Sequence, residues 1–420
     1  MKKIIGLFHA VVLHPLAKGS IVVFAGTMVA NFGAYLYHLV VGRIMGPEQY
    51  GELAALLSLS YILNVFTVTI QAVVAKFVAR RAAALHMEEV RVFVLNLLGI
   101  LLIIGILCLI ILLFLAPMIV NFLHIQEPVV VIYLFLGSLF TLIGMVFSSV
   151  LQGLLRFFQG MVILNISSVL RLAVGVAFAS LGVTAALKAN ALALFVTALI
   201  ALWAIRDIIF VKTSNKKIAI APLFAGSLLP FLAVFGVSIL NSQDVVVVKH
   251  FLSAAEAGWY GALSTMGKII FFASYSVGYV LLPFVSNRTT RGMNSHRLVY
   301  ISLGIVTVLS FSIASGFFLF PELALTLLYG KAFIAAAPYL GLFAVFSSLY
   351  TMSYTLVMGL LGSGKTSIWG VLIATAVVQD VLLVMFHQSI VTVIWINIAV
   401  CSLLFTVLLM YFQQASYKKA

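Results

Sequence analysis

Four ionisable side chains stand inside otherwise apolar stretches: Arg171, Asp244, Lys268 and Asp380. A charge at the centre of a membrane helix costs about 2.5–3.5 kcal/mol on insertion scales, so such groups face a bundle interior or water. At about 1.5 Å of rise per residue, Arg171 and Lys268 fall near mid-depth of their stretches, with Asp244 and Asp380 nearer the outer leaflet. Two chemistries suit this set. The basic pair makes a cationic binding site for an anionic substrate, with one or both aspartates coupling to H⁺ or Na⁺. Alternatively, the four form two buried ion pairs that pin helices together.

Neutral polar groups add to the picture. Asn31, Tyr35 and His38 recur at i, i+4 and i+7, one face of a helix. Ser60, Asn64, Thr67 and Gln71 repeat the theme in the next stretch, while Ser264, Tyr275 and Tyr279 share a face with Lys268. Single groups of this kind bond neighbouring helices; two adjacent stripes point to a cavity wall lined by Asn31, Tyr35, His38, Asn64, Gln71 and Tyr275. His38 titrates near neutrality in its free form, but a lone histidine also serves packing.

Residues 359–366, GLLGSGKT, match the phosphate-loop pattern letter for letter. That loop works only between a strand and a helix N-terminus, where backbone N–H groups wrap the phosphates. Here an apolar helix precedes it and no acidic strand for magnesium follows, so the motif is read as a cytoplasmic turn. No nucleotide, cofactor, metal site or catalytic residue is expected. Cys108 and Cys401 lie in apolar stretches without CxxC spacing and are read as packing residues.

The elements that must position these groups are membrane helices. Of 420 residues 64% are hydrophobic and 8% charged, with a mean hydropathy of +1.25, far from the roughly 45–50% apolar and about 25% charged of soluble domains. About twelve continuous apolar runs are each long enough to span a bilayer, near 19–42, 52–76, 92–116, 129–152, 161–182, 185–206, 226–248, 257–284, 298–320, 333–358, 366–386 and 389–412. Their continuity excludes the alternation of a β-barrel.

The net charge of +14 is distributed, not pooled. Lys76, Arg80, Arg81, Arg91, Arg156, Arg206, Arg288, Arg291, Arg297 and Lys365 fall on alternate connections, with further lysines at both ends. The other connections hold Arg43, Lys188, Lys249 and Lys331 against five glutamates. This is the positive-inside bias, which places both termini in the cytoplasm and excludes a nucleic-acid partner as the reason for the charge. Residues 1–18 read as an amphipathic segment on the cytoplasmic face, because His9, His14 and Pro15 interrupt any signal-peptide core.

An internal repeat organises the chain. Shifting residues 241–263 back by 207 positions superimposes Val247, Val248, Gly258, Ala262 and Leu263 on Val40, Val41, Gly51, Ala55 and Leu56, with His250 on Arg43. Pro117 and Pro321 repeat at nearly the same offset. One six-helix unit used twice accounts for this, with a divide near 207–221: an N-lobe over 19–212 and a C-lobe over 213–420. An even number of spans per half makes the repeats parallel. The second copy is expected to turn through small residues ending on Gly258. The four charges do not obey the repeat: at that offset Asp244 falls on Tyr37 and Lys268 on Tyr61.

The stretches GRIMGPEQYGELAALLSLSYIL (42–63), AKFVARRAA (75–83) and NSQDVVVVKHFLSAAEAGWYGAL (241–263) resemble the polysaccharide, O-antigen type flippases of the multidrug/oligosaccharidyl-lipid/polysaccharide exporter superfamily. The resemblance implies an all-α polytopic membrane protein with two lobes around a central cavity worked by alternating access. It implies, as substrate, an undecaprenyl-pyrophosphate-linked glycan crossing a prokaryotic plasma membrane, with Arg171 and Lys268 attracting the pyrophosphate or acidic sugars. Membrane lipids are expected partners, with other polysaccharide-assembly proteins as further candidates. Coupling to H⁺ or Na⁺ through Asp244 or Asp380 stays open. A drug/cation antiporter of the same superfamily is the alternative. A glycan polymerase or ligase would need a sizeable outer loop with acid/base residues, and the outer connections are short, so the chain is not read as an enzyme.

Overall fold

The computed structural model describes residues 15–125, 127–211, 218–291 and 293–417. All regular structure among them is helical, and ten helical segments are long and apolar enough to cross a membrane. The chain is a polytopic α-helical membrane protein. The first of the ten, Val22–Ala83, covers both of the first two expected spans. It takes in most of α1 (Pro15–Leu63) and all of α2 (Val65–Ala83). Within α1, Gly46 takes φ 73°, a left-handed conformation that a glycine adopts without steric cost, and Pro47 restarts the helix. Thus Gly46-Pro47 is a corner between two helices. Residues 1–14 of the expected amphipathic segment, and 212–217 at the expected lobe divide, lie outside the described residues.

The helices group into two compact units. The first contains Met1–His38, Phe66–Ile119 and Glu127–Ser227. Its helices are the start of α1, α2, most of α3 (Met87–Leu123), α4 (Val129–Gly153), α5 (Phe157–Phe178) and α6 (Val183–Ala204). Its core joins Val74 and Val78 of α2, Phe93 and Val94 of α3, Val146 and Val150 of α4, and Ala201 of α6, all fully buried. Arg81 and Glu89 form a 3.0 Å salt bridge across the α2–α3 turn. Helices α4 and α6 pack closely because Gly137 and Gly144 face Ala191 and Ala198, a small-residue spacing that lets backbones approach. The outer face of α3 is apolar and exposed at Ile103, Phe114 and Met118, as a lipid-facing surface must be.

The second unit contains Leu39–Val65, Val120–Gln126 and Leu228–Ala420. Its helices are the rest of α1, α7 (Leu228–Ile239), α8 (Gln243–Phe251), α9 (Ala254–Thr290), α10 (His296–Leu319), α11 (Pro321–Leu328), α12 (Ala337–Gly362), α13 (Trp369–Met385) and α14 (Ile390–Tyr417). The turn expected to run to Gly258 closes earlier, at Ser253. Ser253 and Glu256 make a reciprocal capping box that starts α9 at Ala254.

Positions matched by the 207-residue offset touch within this unit. Gly51 and Gly258, matched at offset 207, touch: a Cβ on Gly51 would lie 2.5 Å from the Gly258 nitrogen. One turn on, Ala54 meets Gly261, its own counterpart at the same offset. Glycine permits this approach where backbones cross. A second correspondence lies at the helix ends. Arg43 donates to the carbonyls of Thr326 (3.1 Å) and Leu327 at the end of α11. Its counterpart His250 contacts the Phe122 carbonyl at 2.5 Å, at the end of α3, and stacks on the Phe122 ring.

Candidate functional site

In the first unit, α5 is clamped onto α1. The Ser168 hydroxyl donates to the Ala30 carbonyl at 2.9 Å, and Asn165 donates to the Gly26 carbonyl at 3.1 Å. The clamp sets Arg171, one turn further along α5, between two neighbours. Its Nε donates to Asn190 Oδ1 of α6 at 2.8 Å, and its guanidinium carbon stands 5.8 Å from the Tyr37 ring centroid. Tyr37 meets His38 edge-on at 5.6 Å. Asn31 and Tyr35 are half-buried on the same helix and His38 is buried. Gln71 of α2 donates to Gln152 of α4 at 3.0 Å, which accounts for it as an interhelical bond.

The second unit holds Lys268 and both aspartates. Lys268, on α9, places its ammonium 4.3 Å from the Tyr61 ring centroid. Cations over aromatic faces gain about 0.5–2 kcal/mol, more as water is removed. Asp244, only 1% exposed at the start of α8, is the hub of a buried polar network. Tyr260 donates to its Oδ2 at 2.5 Å, Asn397 donates to the same oxygen at 3.1 Å, and the Val245 amide reaches Oδ1 at 3.0 Å. Gln379 donates to Asn397 at 2.6 Å, and Gln243 donates to Gln379 at 2.8 Å. Every member is buried. Lys268 attracts Asp244 electrostatically without contacting it.

The predicted residues therefore separate. Arg171 belongs to one unit, Lys268 and Asp244 to the other. Asp380, adjacent in sequence to the fully buried Gln379, turns outward beside exposed Val377 and Val381. Asn64 sits at the α1–α2 junction, its amide bonded to the Ser60 carbonyl at 2.9 Å. The Tyr275 side chain lies outside the described residues. Among those described, no salt bridge joins Arg171 or Lys268 to Asp244 or Asp380. Reasoning from ionisable groups alone missed Gln243, Tyr260, Gln379 and Asn397. Amides inside apolar spans were the available signal.

At the phosphate-loop match, α12 runs to Gly362 and stops in a tight turn with Gly364 at φ 76°. The amides of Ser363, Gly364 and Lys365 bond back to the carbonyls of Gly359, Leu361 and Leu360. These donors are committed to the helix end. Lys365→Ala is expected to leave the yield of folded protein within about twofold of wild type, the scale of surface changes away from special features. Binding of ATP by the wild type that this variant abolishes would overturn this account.

The chain's residues 16–288 match the family model described as polysaccharide biosynthesis protein. No curated protein matches the chain. Among solved structures it is similar to an inward-facing multidrug resistance MATE family transporter of the MOP superfamily, at 16% identity over 92% of this chain and 96% of that one, TM-score 0.74. It is similar to the lipid II flippase MurJ in an inward closed conformation, at 12% identity over 94% and 87% of the two chains, TM-score 0.75. It is also similar to a MOP superfamily transporter from Pyrococcus furiosus, at 15% identity over 94% and 96%, TM-score 0.60. At these identities the likeness is one of fold.

Proposed function

The chain belongs to the polysaccharide biosynthesis protein family, and on that premise we propose that it is a flippase for a lipid-linked glycan. Its cargo is an undecaprenyl-pyrophosphate-linked oligosaccharide, carried from the inner to the outer leaflet of a prokaryotic plasma membrane by alternating access. It acts as a carrier, not an enzyme. The observation that carries this reading is a pair of cations, Arg171 and Lys268, each set against an aromatic ring within apolar helices and neither salt-bridged to a carboxylate among the described residues. Holding a cation there without a carboxylate in contact is costly, and a pyrophosphate supplies negative charge during transport. The nearby rings and amides suit sugar hydroxyls. The two six-helix lobes read from the repeat are the moving parts of this proposal, and Asp244 is its coupling carboxylate.

Leaflet translocation of a fluorescent undecaprenyl-pyrophosphate-linked oligosaccharide in proteoliposomes tests this directly. Movement that responds to an imposed proton or sodium gradient is expected. Export of cationic dyes with no movement of the glycan would favour the antiporter instead, a reading the MATE-like fold keeps specific. Arg171→Ala and Lys268→Ala are each expected to slow flipping about tenfold, the scale of 1.4 kcal/mol. Wild-type flipping by the double variant would remove the cationic site from the mechanism.

A further inference from the structure

Between α5 and α6, at the end where both helices meet the basic connections, lies an open groove of about 450 Å³. One wall is α5, whose Gln159, Val162 and Ile166 recur at helical spacing; the other is α6, with Ile200 and Trp203. Ile163 forms a buried floor, while Phe158 and Trp203 stay exposed at the rim. Two arginines stand at the mouth. Arg156 makes a two-pronged salt bridge with Asp207, which holds that carboxyl below the usual carboxylate range. Arg206 lies 4.1 Å over the Trp203 ring, and its one hydrogen bond among the described residues is a 3.4 Å contact to the Trp203 carbonyl. With Asp207 spent on Arg156, the mouth carries a net positive charge on Arg206. The first turn of α5 has no side-chain cap, so its amides add a partial positive charge there.

We propose that this groove binds an anionic phospholipid of the cytoplasmic leaflet, its phosphate on Arg206 and an acyl chain laid along Val162, Ile166 and Ile200. The occupant must be amphipathic, because the walls are apolar and open to lipid while the mouth is cationic and lies where headgroups sit. Trp203 at the span end fits the interfacial depth. The neighbouring Arg91 donates to the Val211 carbonyl, which fixes this segment at the same basic end as Arg80 and Arg81. The positive-inside bias makes that end cytoplasmic, the leaflet whose anionic lipids basic pockets between helices recognise. The site is independent of the transport reading.

The test is native mass spectrometry of the purified full chain titrated with dioleoyl phosphatidylglycerol or dioleoyl phosphatidylcholine. The wild type is expected to retain phosphatidylglycerol about fivefold better, the scale of one basic contact with an anionic headgroup. Arg206→Ala removes the charge and Ile200→Trp fills the groove; each should reduce phosphatidylglycerol retention to the phosphatidylcholine level, while Arg206→Lys keeps most of it. Each variant is first checked for monodispersity, and Ile200→Trp stands alone if Arg206→Ala does not fold. Equal retention of the two lipids by the wild type, or unchanged retention by a folded Ile200→Trp variant, would overturn the proposal. So would displacement of phosphatidylglycerol by equimolar undecaprenyl phosphate, which would make the groove a polyprenyl site.

Discussion

Asp244→Asn is expected to uncouple transport from the imposed gradient and to slow gradient-driven flipping by about 5–150-fold, the range of a 1–3 kcal/mol coupling between two ligands. The carboxylate is fully buried, yet three donors converge on it and no cation among the described residues contacts it. Such an arrangement favours a negative charge that Lys268 attracts only from a distance. A proton or a sodium ion is what would neutralise it, and arrival of that ion would redistribute the bonds from Tyr260 and Asn397. Asparagine keeps the volume and removes the charge, so the folded protein should persist while its response to the gradient disappears. Asp380→Asn serves as the internal comparison. Its side chain faces outward and makes no hydrogen bond among the described residues, so that variant should keep the wild-type response. Gradient-dependent flipping at wild-type rate in Asp244→Asn, measured in the same proteoliposomes, would remove Asp244 from coupling.

Gly258→Ala should have the largest effect on assembly of the protein. A Cβ at this position falls on the backbone of Pro47, first on its carbonyl oxygen. Side-chain overlaps relax by rotation; overlap with a carbonyl forces two helices apart. Overpacking usually costs about 1–3 kcal/mol, and a backbone clash belongs at or above the upper end. Yield of monodisperse protein is expected to fall by about tenfold or more, on the basis that each 1.4 kcal/mol is tenfold. Gly304→Ala provides the contrast, because nothing lies within 4 Å of a Cβ there. Equal yields for the two variants, read by fluorescence-detected size exclusion, would contradict the close Gly51–Gly258 crossing. The repeat makes a further demand. Gly51→Ala pushes on the same crossing from the opposite side and should be similarly damaging.

Much of this architecture is legible without coordinates, because the bilayer imposes it. Crossing hydrocarbon requires about twenty apolar residues with all backbone groups bonded internally, so composition and run length alone decide the class of protein. The 207-residue offset is equally readable, whereas the contact between Gly51 and Gly258 emerges only from the packing. The Ser253/Glu256 capping box is also present in the sequence, and it closes the turn ahead of Gly258.

What only the tertiary structure decides is direction. A membrane helix is apolar towards lipid and towards protein alike, so the hydrophobic period that orients a soluble helix carries little information here. Gln379 and Asp380 are neighbours, and nothing in their surroundings says which faces inward; packing against α7 and α14 buries the amide and turns the carboxylate out. Asp244 likewise finds Asn397, 153 residues away, and Tyr260, 16 away. The same limit applies to the helices themselves: residues 39–65 belong to the first half of the chain by order but pack with the second. Apolar content tells a segment to enter the membrane. Shape, small residues and a few buried amides tell it which neighbour to choose.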